Sequence, residues 1–295
     1  MLSTTTSSAR WPELLARRDP LVVVTANVNG IRAAARRGGL QWLAEASAHV
    51  ICLQEVRATQ EQTEEQLQSS GLASMHLAYS SAAALGRNGV AVLTEREPDD
   101  VRTDIGDSAF ADQGRWIEVD VETGVGAVTV VSAYIHTGEA ETPKQAEKFA
   151  FLDAMDRRLA ALRRRASRRK GHVLVTGDFN VAHAEVDIKN WRPNRTKAGF
   201  LPEERAYLDR WFGPAGADKP GPWHDLGRRL GGEGPGPYTW WSWRGRGFDT
   251  DGGWRIDYQV ATPGLAERAR TAVVGKAPTY AERWSDHAPL TVTFA

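Results

Sequence analysis

Four apolar runs in this chain break off at polar side chains: "LVVVTANVNG" at Asn27 and Asn29, "HVICLQEV" at Glu55, "TVVSAYI" at Tyr134 and "HVLVTGDFN" at Asp178 and Asn180. Each run is short, rich in β-branched residues and apolar on both alternating faces, the pattern of a strand covered on both sides. Ends of neighbouring strands meet along one edge of a sheet, so this pattern gathers the polar ends in one place. Two further carboxylates stand in similar settings, Asp257 in "WRIDY" and Asp286 beside His287 in "RWSDHAPL". Any one of them has an ordinary explanation as a helix cap or an Asx-turn. Collected together they repel one another and lose hydration, a cost that a divalent cation removes.

The ligand types narrow the cation. Glu55, Asp178 and Asp286 offer carboxylate oxygens, and Asn29 and Asn180 offer amide oxygens. Cys52 is the single cysteine of the 295 residues, which excludes an internal disulfide and a thiolate zinc cluster. An oxygen-rich set with one histidine favours Mg2+, with Mn2+ as an alternative, over zinc. Such an ion polarises a phosphoryl oxygen, a histidine held by an aspartate donates to the phosphate, and another carboxylate handles the proton of an attacking water. The residues therefore point to metal-assisted phosphodiester hydrolysis.

The rest of the chain sets the frame. Residues 1–20, rich in Ser, Thr and Arg, are expected to form a flexible leader, and residues 21–295 a single catalytic domain. "GLQWLAEAS" has helical spacing through Leu40, Leu43 and Ala44. "TPKQAEKFAFLDAMDRRLAALRRR" is the clearest helix, with Thr142 as its cap, Pro143 in its first turn and Gln145 at capping-box spacing. Its apolar stripe is Phe149, Leu152, Met155, Leu159 and Leu162. A further helix starts at Pro202, and strands return in "GWRIDYQVA", "ARTAVV" and "APLTVTF". Two packed sheets with outer helices are the expected α/β architecture, and a single doubly wound sheet is the alternative. Thirty-seven basic and thirty-seven acidic residues cancel, so net charge gives no pointer to nucleic acid. The run "RRRASRRK" from Arg163 to Lys170 reads as the solvated, cationic end of a helix. No apolar run approaches membrane-spanning length, and the start lacks a signal-peptide stretch, so a cytoplasmic enzyme without a membrane partner is expected.

The segments "TANVNGIRA", "ICLQEVRA", "SAYIHTGE", "GDFNVAH…DIKN", "GFLPEER", "GWRIDY" and "WSDHAPL" occur in an order that resembles the exonuclease III branch of the endonuclease/exonuclease/phosphatase superfamily, the bacterial counterpart of the apurinic endonucleases. The resemblance runs from Leu21 to Phe294. It implies a four-layer α/β sandwich of the deoxyribonuclease I-like kind, two mixed β-sheets flanked by helices. It implies a monomeric, Mg2+-dependent enzyme of base excision repair that incises double-stranded DNA 5′ to abasic sites, with 3′-5′ exonuclease and 3′-end-trimming activity. Carried over by position, Glu55 is the principal metal ligand, with Asn29 and Asp286 near the ion or its waters. Asp178 activates water or protonates the leaving oxygen, and Asn180 orients that water and contacts the phosphate. His287 donates to the phosphate with Asp257 as its partner, Tyr134 stands by the leaving group, and Asn27 holds the Asp178 region. Arg32, Arg57 and Asn194 match positions that grip DNA phosphates. Trp240, Trp254 and Ile256 match an apolar pocket for a flipped, base-less sugar, although "YTWWSW" also reads as plain core. The chain departs from the pattern at His136 and Thr137 after Tyr134 and at Arg87 and Asn88 in "GRNGVAVL", loops on which the balance of activities depends. His136 is expected to be a tolerated loop residue. The rival readings are a relative acting on a non-DNA phosphoester and a DNA-binding protein with little catalysis. The second conflicts with the intact Glu55, Asp178 and His287.

Overall fold

The computed structural model describes residues 20–295, apart from positions 85 and 218. The expected leader, but for its last residue, lies outside them. Twelve strands form two six-stranded sheets. One has the order β11 (Ala269–Val274), β12 (Leu290–Phe294), β1 (Leu21–Asn27), β2 (Val50–Gln54), β4 (Val90–Thr94), β3 (His76–Ser80). The other has the order β5 (Asp100–Arg102), β6 (Trp116–Thr123), β7 (Gly126–Tyr134), β8 (His172–Asp178), β10 (Asp257–Ala261), β9 (His224–Asp225).

Strand periodicity divides the core. Successive side chains on a strand point to opposite faces. In β1, Val23 enters the layer between the sheets with Cys52 and Leu174, while Val24 joins the outer layer with Ile51 and Leu53. That outer layer is closed by α1 (Ile31–Arg36), α2 (Gly39–Glu45) and α3 (Gln60–Gln68) through Ile31, Leu40, Leu43 and Leu67. On the far side, Val173 and Val175 of β8 meet α4 (Pro143–Arg169) and α5 (Pro202–Phe212) through Phe151, Leu152, Met155, Leu159, Leu208 and Trp211. Each large apolar side chain so buried contributes about 1.5–3 kcal/mol. Two further short helices, α6 (Leu226–Gly231) and α7 (Pro263–Ala266), lie among the described residues. The result is a four-layer α/β sandwich, not the single doubly wound sheet.

Buried polar links hold the two sheets in register. Gln54 donates through Nε2 to Ser132 Oγ at 2.9 Å, and that hydroxyl donates to the Leu53 carbonyl at 3.0 Å. Gln259 Nε2 reaches the carbonyls of Val23 and Leu290 at 2.9 and 2.8 Å. Apolar packing slides easily, whereas a buried amide that loses its acceptor costs about 1–3 kcal/mol. These contacts therefore fix how the strand ends of one sheet face those of the other.

Some local expectations need correction. α4 begins at Pro143, but its capping box does not form. Thr142 Oγ1 donates to the Glu139 carbonyl at 2.8 Å, and Gln145 reaches instead to Glu204 at 2.9 Å. A nearby carbonyl takes the Thr142 hydroxyl, and a distant carboxylate takes Gln145. α3 was not foreseen because only Thr63 and Leu67 of its nine residues are buried, and it relies on the Thr59–Gln62 capping box. The arginine run ends α4, and Arg165 pairs with Asp120, which also binds Arg102 at 2.8 Å.

The "DIKN" and "RIDY" segments meet in a buried ion cluster. Arg255 donates through Nε to Asp187 at 2.7 Å, its Nη1 lies 2.7 Å from Asp225, and Arg228 also binds Asp187. Burial works against the charge of Asp187, yet Arg255 and Arg228 outweigh it and hold its pKa down to about 2. A depressed carboxylate stabilises the fold above its unfolded value near 4 and loses that contribution as pH falls toward 2. Asp187→Ala leaves Arg255 without its main partner, and is expected to cost about 3–5 kcal/mol. Urea unfolding at pH 7 checks this; a loss under 1 kcal/mol would contradict it.

Candidate active site

Topology explains why starts and ends of strands contribute alike. β1 and β2 are parallel, as are β7 and β8, so Asn27 and Glu55 stand at one edge and Tyr134 lies beside Asp178 in register. β10 and β12 run antiparallel to β8 and β1, which brings their beginnings to that edge. Asp257 thus pairs in register with Asp178, and Asp286 and His287 lead into β12.

Asn27 joins the two sheets. Its Nδ2 donates to Glu55 Oε1 and to Asp178 Oδ2, both at 2.9 Å. Asp178 divides its oxygens between two duties. Oδ1 accepts the Asn180 backbone N–H at 2.9 Å, an Asx-turn, while Oδ2 accepts from Asn27 and from Asn180 Nδ2 at 3.1 Å. Asn27 repeats the turn, accepting the Asn29 N–H at 3.0 Å. The local turn and the clustered site are the same construction. Both turns place a non-glycine residue in the left-handed region, Asn29 at φ 47° and Asn180 at φ 50°, and Glu55 at φ 50° and Arg57 at φ 51° join them. Such a conformation costs about 1–3 kcal/mol and persists where surrounding bonds enforce it. Here the Glu55 carbonyl accepts from Gly30 N–H, and Arg57 N–H donates to the Asn88 carbonyl, each at 2.8 Å.

His287 completes the cluster. Its Nδ1 donates to Asp257 Oδ2 at 2.8 Å, and its Nε2 lies 3.8 Å from Asp178 Oδ2. Burial opposes a charged ring, but Asp257, Asp178 and Asp286 outweigh it and raise the pKa to about 10. Burial is the largest influence on Asp178, and with Asp257 and Glu55 it lifts the pKa to about 7 against the pull of His287. Tyr134 is held neutral by burial and by Glu55 and Asp178.

One ligand atom each from Glu55, Asp178 and His287 lies within 4.8 Å of the others, and all three residues are buried. The two carboxylates offer oxygens to a divalent cation, whereas His287, its Nδ1 engaged by Asp257 and its ring held protonated, has no lone pair for one and stands beside them as a donor. Asp286 stands outside that group, accepting from Asn29 Nδ2 at 2.7 Å and from Trp240 Nε1 at 3.2 Å. Trp240 and Trp254 pack edge to face with ring centres 6.3 Å apart, next to Ile256, Ile188 and Phe200. Ile256 is buried beneath the two half-exposed indoles.

Of the phosphate-gripping candidates, one touches the cluster and two lie further out. Arg57 ion-pairs with Glu55, Arg32 is exposed on α1, and Asn194 donates to its own loop at the Asn190 carbonyl, 2.8 Å. Arg87 is exposed, whereas Asn88 donates to the Gln113 carbonyl at 2.9 Å. His136 packs between Phe110 and Phe151, and burial, with Arg115 nearby, lowers its pKa to about 4. Sequence reasoning missed Arg115, whose guanidinium lies 4.7 Å over the Tyr134 ring and donates to the Tyr134 carbonyl at 3.2 Å. It missed Ser285 too, which donates to the Asn27 carbonyl at 2.7 Å. Both depend on strand register, which a linear pattern does not display.

Two mixed sheets flanked by helices, with carboxylates and an imidazole on their shared edge, are the plan of the deoxyribonuclease I-like hydrolases. Residues 24–287 match the Endonuclease/Exonuclease/phosphatase family, and the chain belongs to it. It is 31% identical over 269 residues to an exodeoxyribonuclease of Bacillus subtilis, covering 91% of this chain and 97% of that one. It is 29% identical to exodeoxyribonuclease III of Haemophilus influenzae, covering 92% and 98%. Among solved structures, an AP endonuclease from Archaeoglobus fulgidus superposes with a TM-score of 0.77 at 26% identity, covering 93% and 99%. A Neisseria 3′ phosphatase, NExo, bound to a product DNA hairpin, gives 0.77 at 28% with the same coverage.

Proposed function

We propose that this chain is a Mg2+-dependent DNA repair nuclease that hydrolyses the phosphodiester 5′ to an abasic nucleotide and trims 3′ ends of duplex DNA at the same site. The observation that supports it most is the convergence of Glu55, Asp178 and His287 within 4.8 Å, bound together by Asn27 and Asp257 beside the half-exposed indoles of Trp240 and Trp254. The likeness to exodeoxyribonucleases and to an AP endonuclease supports DNA as the substrate.

In this reading, protonated His287, oriented by Asp257, donates to a non-bridging oxygen of the phosphate. Asp178 exchanges a proton with the attacking water or the leaving 3′-oxygen, a task suited to a carboxyl lifted to about 7. Asn180 orients that water, and the neutral Tyr134 phenol donates near the leaving oxygen. Glu55, with Asn29 and Asp286 close by, would hold Mg2+ or Mn2+, which when bound would offset negative charge at the phosphoryl group. Asp178 and Asn180 flank the same position. Trp240, Trp254 and Ile256 receive the extruded sugar and exclude one that carries a base; an abasic nucleotide is cheap to extrude because it has no stacking to lose. Arg32, Arg57 and Asn194 lie where backbone phosphates would pass.

Residues 21–295 act as one catalytic domain, working as a monomer in a bacterial cytoplasm. Among the described residues no helix is long and apolar enough to cross a membrane.

Two labelled duplexes test the proposal, one with a central abasic-site analogue and one intact with recessed 3′ ends. Incision of the first in Mg2+, with slower shortening of the second, is expected. Failure on both would defeat the proposal and direct the search to lipid and inositol phosphates.

A further inference from the structure

We infer that the buried Lys148–Glu204 ion pair is a positioning device that keeps the Asn180 turn and the wall of the indole pocket in one register. Lys148 lies on α4 and Glu204 in the first turn of α5. Both side chains are fully buried, with Nζ and Oε1 2.7 Å apart. The ammonium has three protons, and its other contacts are the carbonyls of Asn180 at 2.9 Å and Thr137 at 3.1 Å. Thr137 and Asn180 follow Tyr134 and Asp178, so one cation ties both loops that leave the parallel pair β7–β8.

Glu204 extends the link to the pocket. Its Oε2 accepts the N–H of Gly199 at 2.6 Å and of Leu201 at 3.0 Å, and Oε1 also accepts from Gln145. Phe200, between those two donors, packs in one apolar cluster with Ile256, Trp240 and Trp254. Gly199, at φ 90°, sits in a conformation that strains any side chain, and a Cβ there would press closely on the Trp254 ring at 3.0 Å and the Asn180 carbonyl at 3.2 Å. The pair thus holds a junction where the left-handed Asn180, the 199–201 segment and Trp254 touch.

Stability does not account for such a pair. Desolvating two charges roughly cancels their attraction, and apolar residues of similar volume commonly serve as well. α4 already carries a buried apolar stripe that begins at Phe151, one turn beyond Lys148. What an apolar residue cannot supply is a directed donor to the Asn180 carbonyl, which sets the plane of a strained turn.

The inference rests on the nuclease reading above, and its test separates the two. Lys148→Met combined with Glu204→Gln removes the ammonium without leaving a lone buried charge, and the amide retains an acceptor for the 199–201 segment. This double variant is expected to melt close to the wild type and to keep its KM for abasic duplex, while kcat falls about tenfold to hundredfold, the scale of a displacement near 1 Å. A kcat within twofold of wild type, or a loss no larger than the unfolded fraction measured by circular dichroism, would overturn the inference. If the double variant does not fold, Lys148→Arg keeps the charge and moves the donor; it is expected to lose about tenfold in kcat, and wild-type kcat would overturn the inference. No incision by the wild-type protein run alongside would instead defeat the nuclease reading.

Discussion

Asp178→Asn is expected to lower cleavage of abasic duplex by roughly a thousandfold or more, within the range for loss of a proton-transferring group, and to leave binding within a few-fold of wild type. The change is isosteric, so the Asx-turn that accepts the Asn180 N–H at 2.9 Å survives with the amide oxygen on that side. The other side then presents an NH2 group to Asn27 Nδ2, which sits 2.9 Å from the present carboxylate oxygen. Donor faces donor, and no group remains that takes or gives a proton there. Trp240, Trp254, Arg32 and Arg57 are untouched, which is why binding persists. Single-turnover cleavage and a gel-shift assay read the two quantities separately, and near-normal turnover would remove Asp178 from the chemistry.

Glu55→Ala should act on the metal. Glu55 supplies one of the clustered carboxylates, tied by Asn27 at 2.9 Å and by Arg57. Loss of groups that only support a metal ligand commonly costs 10–100-fold in affinity, so losing a ligand is expected to raise the half-saturating Mg2+ concentration by about that much or more. Mn2+ binding followed by calorimetry, without substrate, gives an independent reading. An unchanged midpoint in both would contradict the place given to Glu55.

The sequence displayed the buried strands well because strands covered on both faces carry consecutive apolar residues, as in Val50 to Leu53 of β2 and Val173 to Val175 of β8. Strands at sheet margins, such as β3 and β5, were not legible because their exposed residues break that pattern. The polar residues at strand ends were visible as types, and the resemblance added roles. How they meet depends on pairing directions, which bring Asp257 opposite Asp178 and which no linear spacing contains. The Asx-turn and the shared site looked like competing explanations for Asp178, yet its two oxygens serve both. Lys148 was hidden for a different reason. In "TPKQAEKF" it reads as a surface cation on a helix, and only the packing of α4 against α5 reveals it as buried. Likewise the balanced net charge concealed internal pairing, with Arg102 lying on Glu118 and Asp120 at 2.9 and 2.8 Å.

The central claim is metal-assisted hydrolysis at an abasic site, and the ends of the product test it most directly. A 5′-labelled abasic duplex would be incubated in Mg2+, then in chelator, then with Mg2+ restored, and the product offered to a DNA polymerase. Hydrolysis 5′ to the lesion predicts a product that appears only with Mg2+, returns on restoration and carries a 3′-hydroxyl that the polymerase extends. A product that forms in chelator, or one blocked to extension by a sugar fragment left on its 3′ end, would mean elimination chemistry and would contradict the account.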